Sequence, residues 1–448
     1  MDAQKWGIER AVFIMLVAGV GFFALAFIGL GVTPWFNINH ELKGHRKTEH
    51  VAQYTPLQLR GRQIYIANGC YYCHSQFVRP VADDPLRFGA VSKAWEYKHQ
   101  YPNLLSTRRK GPDLTRESLD HPADWEYVHL YDPRMIVPWS IMPAYHWMFN
   151  GSPGKPNGQA KALVAYLGTL GKARKREMLA KGTLKKVFVP GIGTVLHYPY
   201  KGGRLTSPGY DHVAFFHKAP RIADTAAARG RGKHLYALDC ASCHGSTGDG
   251  RGRAARYLSP RPVRLNAFRF RAGFVYKVLY YGRPGSAMPS WVHAPDGFLT
   301  PRDLWSVAYY VKTLHQNAAL PPPKHPPLPR TAALVKLGGQ QFATNCATCH
   351  GPKGEGNGVL ARALTPAPVD LAMMTPSARW VYHTLNHGRA GTAMPAFSSL
   401  SRKVRWAIAY FVQTLAQKPA NSQSAAVARK QSVQMARAAG HGTLTHSS

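Results

Sequence analysis

The 448-residue sequence is 45% hydrophobic, enough to bury several small cores, and its length points to three or four modules rather than one. Lysine and arginine number 57 against 22 aspartate and glutamate, for a formal charge of +35. Such a field attracts anionic lipid, nucleic acid or an acidic protein, and the dispersal of the basic residues argues against the nucleic-acid option.

From Ala11 to Phe36 run 26 residues without a charge, longer than the roughly 20 that cross a bilayer as a helix. The stretch is too long for a cleaved signal peptide, and no small-residue cleavage site with a polar flank follows it, so residues 1–50 read as a retained transmembrane anchor and juxtamembrane linker. The flanking charges do not orient it. Lys5 and Arg10 are offset by Asp2 and Glu9, and Lys43, Arg46 and Lys47 follow on the other side.

All six cysteines fall in three copies of one pattern: Cys70-Tyr-Tyr-Cys73-His74, Cys240-Ala-Ser-Cys243-His244 and Cys346-Ala-Thr-Cys349-His350. Two thiols three residues apart can each add to one vinyl group of a haem, and the next residue then places an imidazole over the iron. A dithiol redox motif or half a zinc site leaves the histidine of every copy unexplained. Three covalently bound haems c are therefore expected.

A sixth ligand is expected downstream of each. Ser140-Ile-Met142-Pro143, Ser286-Ala-Met288-Pro289 and Thr392-Ala-Met394-Pro395 supply three matching Met-Pro motifs. His244 to Met288 spans 44 residues, as does His350 to Met394, whereas His74 to Met142 spans 68. A constant offset and a following proline are not what core packing alone requires of a methionine. Between the ligands lie Pro112, Pro262 and Pro368, whose carbonyls are expected to accept the free N–H of each axial imidazole, unless they mark simple turns.

Each haem segment opens with a helix-like stretch running into its cysteines and closes with an apolar stretch of helical period: Tyr166-Leu-Gly-Thr-Leu170, Tyr310-Val-Lys-Thr-Leu314 and Phe411-Val-Gln-Thr-Leu415. The expected fold is all-α: one N-terminal transmembrane helix followed by three small cytochrome c-like haem domains at 51–172, 223–316 and 332–418. Residues 173–222 form a basic connector without haem motif or clear period, and 317–331 a Pro-rich, extended spacer. Residues 419–448 are polar and read as a disordered tail.

The first module carries Gly61-Arg-Gln-Ile-Tyr65, Gly69-Cys-Tyr-Tyr-Cys-His-Ser-Gln76, Arg79-Pro80, Gly111-Pro-Asp-Leu-Thr-Arg116, His129-Leu-Tyr-Asp-Pro-Arg134 and Ser140-Ile-Met-Pro-Ala-Tyr145. Through about residue 172 it resembles the monohaem subunit of cbb3-type cytochrome c oxidases. Residues 223–418 resemble a pair of class I cytochrome c domains, similar to the dihaem subunit of the same oxidases without its own membrane helix. The basic Arg108-Arg-Lys110 departs from the acidic, aromatic stretch usual before the Gly-Pro-Asp motif, which touches docking rather than haem ligation.

The resemblance implies an electron carrier without an oxygen-reducing site of its own. A periplasmic cytochrome c or cupredoxin donor reduces the duplicated haems, and the first-module haem delivers to an integral subunit with haem b and copper. It also implies an inner-membrane protein with a cytoplasmic N-terminus and periplasmic haem domains. The rival reading is a trihaem cytochrome subunit of a membrane-bound dehydrogenase. For the charge, the scarcity of carboxylates suggests a fold that tolerates acid, because few ionised pairs would be lost on protonation.

Overall fold

A computed structural model describes residues 2–44, 51, 53–81, 84, 88–117, 121–197, 221–291, 299–315 and 327–415. The tail expected at 419–448, most of the Pro-rich spacer and the second half of the connector lie outside the described residues.

The chain begins with an α-helix, Asp2–Phe27, that passes through a π-helical turn, Ile28–Val32, into a second α-helix, Thr33–Gly44. Within it, Trp6–Lys43 is long and apolar enough to cross a membrane, with a mean hydropathy of 2.7 over its most apolar window and no residue of that window buried by the rest of the chain. An apolar window that no other described residue covers suits lipid. At its end the Glu41 carboxylate accepts the backbone N–H of Ala94 at 3.0 Å, which ties the anchor to the first haem unit.

Three helical units follow, built on one plan. The opening helices are Pro56–Ala67, Ala226–Asp239 and Ala332–Asn345, and the closing helices Gly158–Leu167, Pro301–Thr313 and Arg402–Leu415. Thr55, Thr225 and Thr331 cap the opening helices, each hydroxyl accepting the N–H three residues on. Opening and closing helices cross where the former carries a glycine. A Cβ on Gly61, Gly232 or Gly338 would overlap the carbonyl of Ala162, Ser306 or Ala407 respectively, so only glycine permits the approach.

Four residues beyond each glycine, one helical turn along, an aromatic ring meets a ring of the closing helix. The pairs are Tyr65–Tyr166, Tyr236–Tyr310 and Phe342–Phe411, with centroids 5.5, 5.3 and 5.3 Å apart. Tyr65, Tyr236 and Phe342 are buried, and burying a side chain of that size contributes about 1.5–3 kcal/mol each. A third helix completes each unit: Ala123–Tyr131, Ala272–Tyr281 and Ala378–His387.

The described chain is mostly helical, as expected, with one departure. The connector contains a helix, Lys172–Ala180, and an antiparallel hairpin pairing Lys185–Val189 with Gly193–His197. Met178 and Leu184 pack on Ala90 of the first unit, while the tip reaches the other two: Lys277 donates to the Pro190 carbonyl at 2.8 Å, and Arg362 lies over the Phe188 ring at 5.4 Å. Alternation in only five residues per strand is too short a signal to read from the sequence.

Candidate haem centres

In each unit the opening helix ends at the cysteine pattern. In the second and third, Cys240 and Cys346 stand at the C-cap, and a single helical turn, Ala241–His244 or Ala347–His350, then carries the second cysteine and the histidine. In the first, Gly69 adopts φ 66° and a 3-10 turn, Cys70–Tyr72, takes that place. Cys70 and Met142 pack against one core, Cys240 and Met288 against a second, and Cys346 and Met394 against a third.

Burial pushes the Cys70 and Cys243 thiols up to about 11, Cys346 to about 12, and Cys240 further in the same direction. A redox-active dithiol requires a low thiol pKa, so buried thiols of this kind oppose that reading and suit thioether formation. Burial also holds the His244 and His350 imidazoles below their usual range, in the neutral form that a metal ligand needs.

The imidazoles are oriented by backbone carbonyls. His74 Nδ1 lies 2.9 Å from the Pro112 carbonyl. His244 Nδ1 lies 3.1 Å from the Val263 carbonyl, one residue beyond the expected Pro262. In the third unit the carbonyl facing His350 is that of Val369, again one residue beyond the expected Pro368, without a closed hydrogen bond. The Pro262 and Pro368 carbonyls instead lie beside Gly250 and Gly356, each at positive φ and each too close for a Cβ to fit easily, and it is the next carbonyl that faces the ring.

Each methionine is fixed by the hydroxyl two residues before it. Ser140, Ser286 and Thr392 accept the backbone N–H of Met142, Met288 and Met394 at 3.2, 3.3 and 3.1 Å. The hydroxyls of Ser286 and Thr392 also donate to the Arg283 and Arg389 carbonyls, both at 2.8 Å, which closes the loop. The signal was present in the sequence as a hydroxyl residue at the same offset in all three copies.

A cavity of ≈ 330 Å³ is lined by Cys240, Cys243, His244 and Met288. Its wall holds the indole N–H of Trp291, which is buried and meets no acceptor among the described residues. In the first unit a Cβ on Gly111 would overlap the His74 ring, so the site is shaped around that imidazole. Paired thiols, a neutral imidazole, a thioether and an orphaned donor in an apolar cavity fit a covalently held haem.

Comparison with known proteins gives the same answer from the sequence side. Residues 5–161 match the mono-haem subunit, FixO, of cytochrome c oxidase, and residues 227–311 and 333–412 match subunit III of the cbb3 type. These segments belong to the electron-transferring haem subunits of cbb3-type cytochrome c oxidases. The chain is 28% identical over 48% of its length to the cbb3-type oxidase subunit FixP of a Bradyrhizobium species, spanning 70% of that protein. It is 30% identical over 42% of its length to FixP of Azorhizobium caulinodans, spanning 60% of that one. A chain of the reducing HAO-like complex of Kuenenia stuttgartiensis is 27% identical over 44% of this chain and 99% of its own, with a TM-score of only 0.21.

The cbb3-type segments carry covalently bound haem c in cytochrome c domains, and the apolar N-terminal helix makes the chain membrane-associated. The two types of segment touch. Asp124 accepts the Ser259 backbone N–H at 2.6 Å, and Trp125, Val128 and Ile136 pack against Ala254 and Leu258, with Cys243 at the edge of the cluster.

Proposed function

We propose that the chain binds three haems c and carries electrons from a periplasmic cytochrome c or cupredoxin to the haem b and copper subunit of a cbb3-type oxidase. The observation that carries this reading is the threefold recurrence of one site: the first cysteine of each pair and a methionine against one core, with a hydroxyl bracing each methionine loop. Haem iron with imidazole and thioether ligands supplies reversible one-electron chemistry at a raised potential. Cys70 with Cys73, Cys240 with Cys243 and Cys346 with Cys349 would hold the vinyl groups. His74, His244 and His350 would ligate from one side, and Met142, Met288 and Met394 from the other. The nearby carbonyls of Pro112, Val263 and Val369 would hold the imidazole protons away from the iron.

With a histidine and a methionine of the chain each holding the iron, oxygen would find no open site, and its reduction would fall to the partner. Trp139, Ile141 and Trp147 are exposed around the Met142 loop, an apolar rim of the kind that a partner subunit covers. The haem units would lie in the periplasm, with the N-terminus cytoplasmic, because that is where haem is attached to cytochromes of this family.

The test is purification of the native complex in mild detergent, with pyridine-haem spectra and oxygen uptake read on one sample. Haem b, copper and three haems c per chain, with oxygen consumed when reduced cytochrome is added, are expected. Haem c alone beside a dehydrogenase, or fewer than three per chain, overturns the proposal.

A further inference from the structure

The second and third haem units face each other across a local two-fold relationship written in the sequence. A constant offset of 106 residues separates His244 from His350, Met288 from Met394, Arg283 from Arg389 and Arg261 from Ala367. Across the interface, Arg283 donates to the Ala367 carbonyl at 2.8 Å, and Arg389 donates to the Arg261 carbonyl at 3.3 Å. The two contacts are one contact, exchanged, as in an isologous dimer. The glycines beside them obey the same exchange: a Cβ on Gly285 would overlap Thr365 and Pro366, and one on Gly391 would meet Ser259 and Pro260.

This arrangement carries an electrostatic debt. Both arginines are half-buried and line the cavity that also holds Cys240, Cys243, His244 and Met288. Burial lowers both pKa values, and the like charge of Arg389 adds to the effect at Arg283, which falls to about 10. Among the described residues no carboxylate pairs with either one. Two neighbouring cations partly buried without an anion are unfavourable unless something brings negative charge to them. A haem in this cavity brings two propionates, and a guanidinium fork matches a carboxylate.

We infer that Arg283 and Arg389 together hold the propionates of the middle haem, so that the third unit contributes a residue to the haem site of the second. The inference rests on the reading of three haem centres given above. The hairpin takes part as well: Gly191 at its tip offers a carbonyl to Arg283, and Lys277 holds the neighbouring Pro190. The connector thereby seats the first of the two arginines.

The experiment is a spectroelectrochemical titration, at one pH, of the full-length chain with its haems and of Arg283→Gln, Arg389→Gln, Arg389→Lys, Lys353→Gln and Met288→His. Removing a cation that pairs with a propionate favours ferric haem. Arg283→Gln and Arg389→Gln should each lower the same titration step by at least 59 mV, a tenfold change in the one-electron equilibrium. Arg389→Lys should stay nearer the parent, and Lys353→Gln, which removes an exposed charge from the third unit, should not move that step. Met288→His identifies the middle haem, because loss of the thioether takes its step out of the high-potential range. If Met288→His removes no step, the ligand assignment fails. If the two glutamine variants move different steps, or move none further than Lys353→Gln does, the shared propionate site is wrong.

Discussion

The Trp125 ring stacks on the His121 imidazole, with centroids 3.6 Å apart and planes 16° from parallel. His129 stacks on the opposite face at 4.7 Å. Trp125 and His129 lie one turn apart on the helix Ala123–Tyr131, and His121 stands just before its start. On its way between the histidines, Trp125 joins the cluster that fastens the first haem unit to the second. Trp125→Ala is expected to cost about 3–5 kcal/mol, as loss of a buried ring does, and to let those two units separate. Chemical denaturation checks it: an unchanged midpoint would show that the ring is not part of a packed interface.

His129 is held down to about 3 by burial and by the charge of His121. In the unfolded chain the same imidazole titrates near about 6.5. Below that pH the unfolded state takes a proton that the folded state refuses. Stability is therefore full above about pH 6.5 and falls by about 1.4 kcal/mol per unit as pH drops toward the folded value. Melting temperatures from pH 7.5 to 4.5 should show this slope in the parent and a shallower one in His129→Gln. Equal slopes would remove His129 as the cause. The expectation of acid tolerance drawn from scarce carboxylates meets a specific opponent in this residue.

In the sequence Arg109 stands in a basic run that bears on docking, yet its side chain is nearly buried and serves the fold. Its guanidinium contacts Asp84, Asp113 and the hydroxyl of Ser75, and donates to the Phe77 carbonyl at 2.7 Å. Asp84, despite the upward push of burial, is held at about 2 by hydrogen bonds from Arg79 and Arg109. Arg109→Met removes the one cation that Asp84 and Asp113 share and should cost about 3–5 kcal/mol in a urea titration. Adding Asp84→Asn should return part of that. A cost under about 1 kcal/mol is what an exposed pair would give, and would show the network to be solvated.

Gly111→Ala tests the fit of the first centre. The new methyl group would collide with the His74 ring, so that unit should lose its imidazole ligation while the other two keep theirs. Low-spin haem counted by absorption and electron paramagnetic resonance should fall from three centres per chain to two. A full count with unaltered ligation would mean that His74 does not sit where the structure has it.

What the sequence by itself determined is local. Twenty-six uncharged residues specify an anchor, because a bilayer needs only length and apolarity. Helical period and repeated endings specify three helical units, and the cysteine, histidine and methionine motifs name their candidate ligands by spacing alone. The tertiary structure decided everything that depends on which backbone atom faces which side chain across the chain. It set the carbonyl of Val263 rather than Pro262 against His244, with the Pro262 carbonyl lying beside Gly250. It drew Arg109 inward to Asp84 and Asp113, folded an aperiodic connector into a hairpin that reaches Arg283, and set Arg283 and Arg389 across from each other. Such pairings join residues far apart in sequence, and spacing along one chain carries no information about them until the helices have packed.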